Sequence, residues 1–135
     1  MPAAPVTKGL HHITLTVTDL QRSIAFYTTH LGFEVIIEFE PSRALITNGV
    51  TLMALGLPFD PARAISADSF NENRVGLDHV SFVLENLQAM EQAAAYFDEV
   101  AVERGEIRDL GEAFAIYVMA FRDPDNIQLE FTAPY

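Results

Sequence analysis

One feature governs what this chain can fold into, and it is an internal repeat. Gly9-Leu10-His11-His12-Ile13-Thr14-Leu15 runs alongside Gly76-Leu77-Asp78-His79-Val80-Ser81-Phe82 at an offset of 67 residues. The same offset carries Leu20-Gln21 onto Leu87-Gln88 and sets Asp19 against Asn86. Identities are few, but the chemistry of each position is kept. One supersecondary unit is therefore used twice.

Each copy reads as a strand followed by a capped helix. In the first, Asp19 is the N-cap, Leu20, Ile24, Tyr27 and Leu31 follow at helical spacing, and Gly32 closes the helix. In the second, Asn86 caps a helix whose apolar stripe is Leu87, Met90, Ala94 and Phe97. Strands come next. The first copy predicts one over 33–40 ending at Pro41-Ser42, one over 43–47, a two-residue hairpin turn at Asn48-Gly49, and one over 50–57. The second predicts a weak strand near 105–109, a clear one over 113–122, a turn at Asp123-Pro124-Asp125-Asn126, and a last strand over 127–133. The expected fold class is thus α+β, with two paired βαβββ modules over residues 9–57 and 76–135 and a linker over 58–75. Neither module is large enough to be comfortable alone, so the expected solution places the two sheets around a shared concavity with the helices outside.

Composition narrows the function. Half of the 135 residues are hydrophobic, enough for a sizeable core. Nineteen acidic residues against eight basic ones give a net charge of −11. That argues against a nucleic-acid footprint, which needs clustered positive charge, and equally against an anionic membrane surface. No apolar run approaches the roughly 20 residues that span a bilayer. Residues 1–8 have one lysine and no apolar core, so they are expected to be a flexible arm rather than a signal peptide, and the chain to be cytoplasmic. Cysteine is absent, so a metal site here must rest on imidazole and carboxylate.

Strand phase says which side chains could form one. Ile13, Leu15 and Val17 share one face, which leaves His12 with Thr14 and Thr16 on the other. His79 likewise shares a face with Ser81, opposite Val80, Phe82 and Leu84. In the last strand Ile127, Leu129 and Phe131 are core, while Asn126, Gln128 and Glu130 face away. His11 falls on the apolar phase and matches Asp78 in the repeat, so phase and repeat agree in selecting His12. Singly, a strand histidine or a glutamate is usually just solvated. Equivalent histidines in two copies with a carboxylate in phase point instead to a metal set of His12, His79 and Glu130.

These segments resemble a known family. The phrase from Gly9 to Leu20, the helix ending Phe26-Tyr27 through Leu31-Gly32-Phe33, the restart at Gly76, and Phe121-Arg122-Asp123-Pro124-Asp125-Asn126-Ile127-Gln128-Leu129-Glu130-Phe131 look like the vicinal oxygen chelate superfamily, the glyoxalase, bleomycin-resistance and ring-cleaving dioxygenase group. The resemblance implies a U-shaped sheet around a divalent metal held by His12, His79 and Glu130. The ion would be Fe2+ in first place, with Mn2+, Ni2+ or Zn2+ as alternatives. It also implies a small-molecule substrate and a homodimer, with the site lying within one chain or across the two-fold interface. The family's fourth ligand would stand on the last strand of the first module. Matching Val50 to Ile127 puts Met53 there, a poor ligand for a hard ion and more naturally a pocket wall.

Three ligands leave coordination positions open, as in non-haem iron oxygenases. This tilts the expectation toward dioxygenase-like chemistry on adjacent substrate oxygens and away from glyoxalase I-like isomerisation, which uses a carboxylate or amide at that fourth position. Fosfomycin-modifying relatives carry a tyrosine where this chain has Ala120, with Arg108 and Arg122 as the only nearby cations. The contrasting expectation is a non-catalytic binding protein of the bleomycin-resistance type, whose members typically lack such a triad. Glu130 is then both ligand and candidate proton acceptor. Tyr117 is a weaker candidate proton donor, since a strand tyrosine is more often simply packed.

Overall fold

The computed structural model describes residues 1–39 and 42–135. The expected strand end at Glu40 and the turn residue Pro41 lie outside the described residues. The first module consists of β1 (Ile13–Thr16), α1 (Leu20–Leu31), β2 (Glu34–Phe39), β3 (Arg43–Thr47) and β4 (Leu52–Gly56). A short 3-10 turn at Pro61–Arg63 follows. The second module repeats the order with β5 (Val80–Val83), α2 (Leu87–Val100), β6 (Arg108–Asp109), β7 (Ile116–Arg122) and β8 (Gln128–Pro134). The chain divides into two compact units, Met1–Ile65 and Ser66–Tyr135. No described helix is long and apolar enough to cross a membrane.

The repeat is reproduced strand for strand. The first sheet has the order β1-β4-β3-β2 and the second β5-β8-β7-β6. In each, the first and last strands of the module pair in parallel, and the other neighbours are antiparallel. A helix crossing over between the first strand and the rest is what makes a parallel pairing possible.

Helix boundaries follow the capping chemistry. Asp19 accepts a hydrogen bond from the Arg22 backbone N–H at 3.0 Å, and Asn86 accepts one from Ala89 at 3.0 Å. Gly32 ends α1 in the left-handed region at φ 69°, where its missing Cβ avoids strain. α2 ends instead on Ala101 at φ 58°, the same turn made by a residue that resists it.

Each unit has its own apolar centre. In the first, Tyr27, Ile46, Met53 and Leu55 are fully buried, with Tyr27 edge-on to Phe33. In the second, Phe97 of α2 meets Phe121 at 4.9 Å and Phe131 at 5.7 Å, and Met90, Met119 and Leu129 fill in around them. Aromatic pairs of this kind contribute about 0.5–1.5 kcal/mol each beyond their buried area.

Four boundaries differ from the sequence reading. The Asn48-Gly49 hairpin is a four-residue loop, because pairing ends at Thr47 and Leu52. Asn48 Oδ1 accepts from the Val50 and Thr51 N–H groups at 3.0 and 2.7 Å, and Thr47 Oγ1 accepts from Gly49 N–H at 3.0 Å. These side chains satisfy the backbone that a two-residue turn would have placed in the ladder. Strand β7 begins at Ile116, since residues 111–115 are taken up by a turn closed by Ala115 N–H on the Gly111 carbonyl at 2.8 Å. Strand β8 begins at Gln128, since Ile127 N–H is bound to Asp123 Oδ1 at 2.9 Å. The weak strand near 105–109 is reduced to Arg108–Asp109.

Candidate metal centre

Alternation along the strands places the candidate residues as phase requires. Leu15 and Val17 are buried while Thr14 and Thr16 are exposed, so His12, just before β1, belongs to the polar run. Val80 is buried beside exposed Ser81, and His79 directly precedes β5. Along β8, Leu129, Phe131 and Ala133 are buried, and Gln128, Glu130 and Thr132 are half-buried on the other face.

In the second unit His79 and Glu130 come together. Parallel pairing of Ser81 with Glu130 brings the start of β5 beside the middle of β8. His79 Nε2 then lies 3.7 Å from Glu130 Oε1. This is too long for a hydrogen bond. Two donors at about 2.1 Å from one ion stand roughly 3.0–3.4 Å apart, so the spacing suits shared coordination after a shift of a few tenths of an ångström. The other ring nitrogen is engaged: His79 Nδ1 donates to Asp78 Oδ1 at 2.7 Å. An ionised carboxylate can only accept, so in the neutral ring the bond leaves Nε2 as the lone-pair nitrogen facing Glu130.

The surrounding polar groups are connected. Thr132 Oγ1 donates to Glu130 Oε1 at 3.1 Å and lies 2.5 Å from Ser81 Oγ. Gln128 Nε2 donates to the Asp78 carboxylate at 3.0 Å and to its backbone carbonyl at 3.1 Å. Arg122, on β7, forms a two-bond pair with Glu72 at 2.7 and 2.9 Å. Its hydrogen bonds hold the Glu72 carboxyl down to about 2 and raise the guanidinium further.

In the first unit, His12 Nδ1 lies 2.8 Å from His11 Nδ1, with the rings edge-on. The repeat thus puts His11 against His12 in the way that Asp78 stands against His79. Among the described residues, no three or more His, Asp or Glu side chains stand together as a metal site.

The register places Met53 differently from the sequence reading. Ile13 pairs with Met53 and Thr14 with Ala54, whereas Val80 pairs with Leu129 and Ser81 with Glu130. Ala54 is therefore the counterpart of Glu130, and Met53 the counterpart of Leu129. Met53 is 0% exposed and belongs to the core, so it lines no pocket. The one-residue difference arises because the four-residue loop delays the start of β4 to Leu52. Alanine has no donor atom, so this strand supplies no ligand at that position.

Tyr117 stands on the other side of its sheet. It alternates in phase with buried Met119 and Phe121, opposite Ala120, which pairs with Glu130. Its ring lies 5.0 Å from that of Tyr135. Asp78, Gln128 and Thr132 were missed as site residues. Gln128 and Thr132 lie two residues either side of Glu130, so strand phase alone could have found them. Asp78 falls out of phase and needed the side-chain contact.

Known proteins share this frame. The family model of the Glyoxalase/Bleomycin resistance protein/Dioxygenase superfamily matches residues 9–131. A metallothiol transferase FosB of Staphylococcus saprophyticus is 29% identical over 124 residues, covering 91% of this chain and 75% of that protein. The glyoxylase/bleomycin resistance protein/dioxygenase domain from Frankia sp. EAN1pec superposes with a TM-score of 0.83 at 26% identity, over 96% of this chain and 94% of the other. The fosfomycin resistance protein FosX from Listeria monocytogenes, complexed with Mn(II) and a sulfate ion, has a TM-score of 0.74 at 21% identity. The match covers 96% of this chain and 93% of FosX, and the two share the fold.

Proposed function

Because the chain belongs to the glyoxalase, bleomycin resistance protein and dioxygenase superfamily, we propose that it is a divalent-metal-dependent enzyme whose ion is held by His12, His79 and Glu130. The observation that carries the reading is the pair of His79 Nε2 and Glu130 Oε1 at 3.7 Å, with Nδ1 of the same ring tied to Asp78. An imidazole with a committed Nδ1–H and a carboxylate half-buried on a strand are the donor set that a hard or borderline divalent ion prefers. Bound there, the ion supplies Lewis acidity to adjacent oxygens of a small substrate.

The residues of this chain define the rest. Ala54, the repeat counterpart of Glu130, has no donor atom, so the three residues named would be the ligands that this chain supplies. Glyoxalase I-like isomerisation is disfavoured on the same ground, since the strand position that would carry a further carboxylate is filled by a methyl group. Ala120, opposite Glu130, offers no hydroxyl, and Arg122 is committed to Glu72 rather than to a phosphonate. Both weigh against fosfomycin modification despite the likeness to FosB. Oxygen chemistry at ferrous ion is the favoured assignment, and Tyr117 has no part in it. Glu130, half-buried on the polar face of β8, is the carboxylate that would accept a substrate proton.

His12 belongs to the first unit, and we take the functional form to be a homodimer. Anaerobic purification with metal analysis tests the reading on wild type and Glu130→Ala. Stoichiometric iron that is lost in the variant is the expected result. Nickel or zinc in its place would favour a lyase or isomerase. No bound ion after reconstitution would overturn the enzyme reading and leave a binding protein. Mixing His12→Ala with His79→Ala chains restores up to about a quarter of the metal sites only if subunits share them, assuming random re-pairing.

A further inference from the structure

A line of polar side chains runs from the loop before β5 to the candidate ligand His79. Glu72 grips Arg122 with two bonds, at 2.7 and 2.9 Å. Arg122 Nη2 donates to Gln128 Oε1 at 3.4 Å. The same amide donates through Nε2 to Asp78 Oδ1 and to the Asp78 carbonyl at 3.0 and 3.1 Å. Asp78 Oδ1 then accepts from His79 Nδ1 at 2.7 Å. Only one orientation of the Gln128 amide satisfies both ends, because guanidinium donates and carboxylate accepts. The direction of donation is therefore fixed along the line from Arg122 through Gln128 to Asp78.

We propose that Asp78, clamped by Gln128, is the positioning residue that holds His79 in the Nδ1–H tautomer with Nε2 turned toward Glu130. This rests on the reading of His79 and Glu130 as metal ligands. Asp78 is 67% exposed, so a lone pairing with its neighbour would be weakened by water. Gln128 Nε2 holds the carboxylate at 3.0 Å and the backbone carbonyl of the same residue at 3.1 Å, which keeps Asp78 in place against that competition. The first module lacks the device. His12 faces His11, an imidazole that can donate or accept, and so leaves the tautomer of His12 open.

The test uses the full-length protein and two readouts. Long-range 1H–15N correlation of the histidine rings in the metal-free wild type is expected to show His79 as the Nδ1–H tautomer. In Asp78→Ala the ring shifts toward the Nε2–H form that free imidazole favours. Mn2+ titration is expected to show affinity weakened about 10–100-fold in Asp78→Ala, and by less in Gln128→Met. Asp78→Asn, which keeps an acceptor oxygen, recovers part of the loss. An Nε2–H tautomer in the wild type overturns the proposal, as does an unchanged tautomer and Mn2+ affinity in Asp78→Ala. Should Asp78→Ala fail to fold, the wild-type tautomer and Gln128→Met decide it. Glu130→Ala separates the two layers. If it binds Mn2+ as the wild type does, the metal-site reading has failed; if it loses Mn2+ while Asp78→Ala does not, only the positioning role has.

Discussion

The assignment of Ala54 rather than Met53 as counterpart of Glu130 can be tested by placing a glutamate at each position. Met53 is 0% exposed between Ile13 and Ile46 in the ladder. Met53→Glu gives up a buried apolar side chain, about 1.5–3 kcal/mol. The new carboxyl must be neutral to stay buried, and protonating a glutamate of pKa near 4.3 at pH 7 costs about 3.7 kcal/mol. Burying the neutral acid without a partner adds about 1–3 kcal/mol. The total is about 6–10 kcal/mol, comparable with the whole stability of a small protein. Ala54 shares its face with exposed Thr14 and half-exposed Leu45, so Ala54→Glu can lead its carboxylate outward. Its cost is that of overpacking, about 1–3 kcal/mol. Urea unfolding at pH 7 should therefore separate the variants by at least about 1 M in midpoint, or show Met53→Glu unfolded. If Met53→Glu does not fold, Met53→Gln reads the packing loss without the ionisation cost. Equal midpoints, or a milder effect at Met53, would refute the register.

Three further outcomes follow from single contacts. Glu72 has its carboxyl held near 2 instead of 4.5 by Arg122, so its contribution to stability is complete above about 4.5 and disappears as pH falls toward 2. Wild type should lose urea resistance over that window more steeply than Glu72→Gln, and parallel curves would contradict the pairing. Ala101→Gly relieves a left-handed C-cap and should raise stability by about 0.5–1 kcal/mol, whereas Gly32→Ala should lower it by a similar amount. Thermal unfolding of both decides this. Asn48→Ala removes the acceptor for two loop N–H groups and should cost about 1–2 kcal/mol in urea unfolding, with no loss of the β3–β4 pairing.

What the sequence determined by itself was whatever a period or a cap can encode. The offset of 67 residues established two copies of one module, and Asp19 and Asn86 began the helices because their side chains reach the third residue onward. Alternation assigns Leu129 and Phe131 to the core and Glu130 to the polar face, so strand phase alone singles out His79 and Glu130. Register was another matter. A strand read by its period can slide by one residue without violating its composition, and only the hydrogen bonds of Asn48 and Thr47 showed that β4 starts at Leu52. The tertiary structure also decided the partners. Asp78 lies out of phase with the polar face and 50 residues from Gln128, so no local pattern joins them; the parallel pairing of β5 with β8 does. The candidate ligands were written in the sequence, and the groups that aim them were written in the fold.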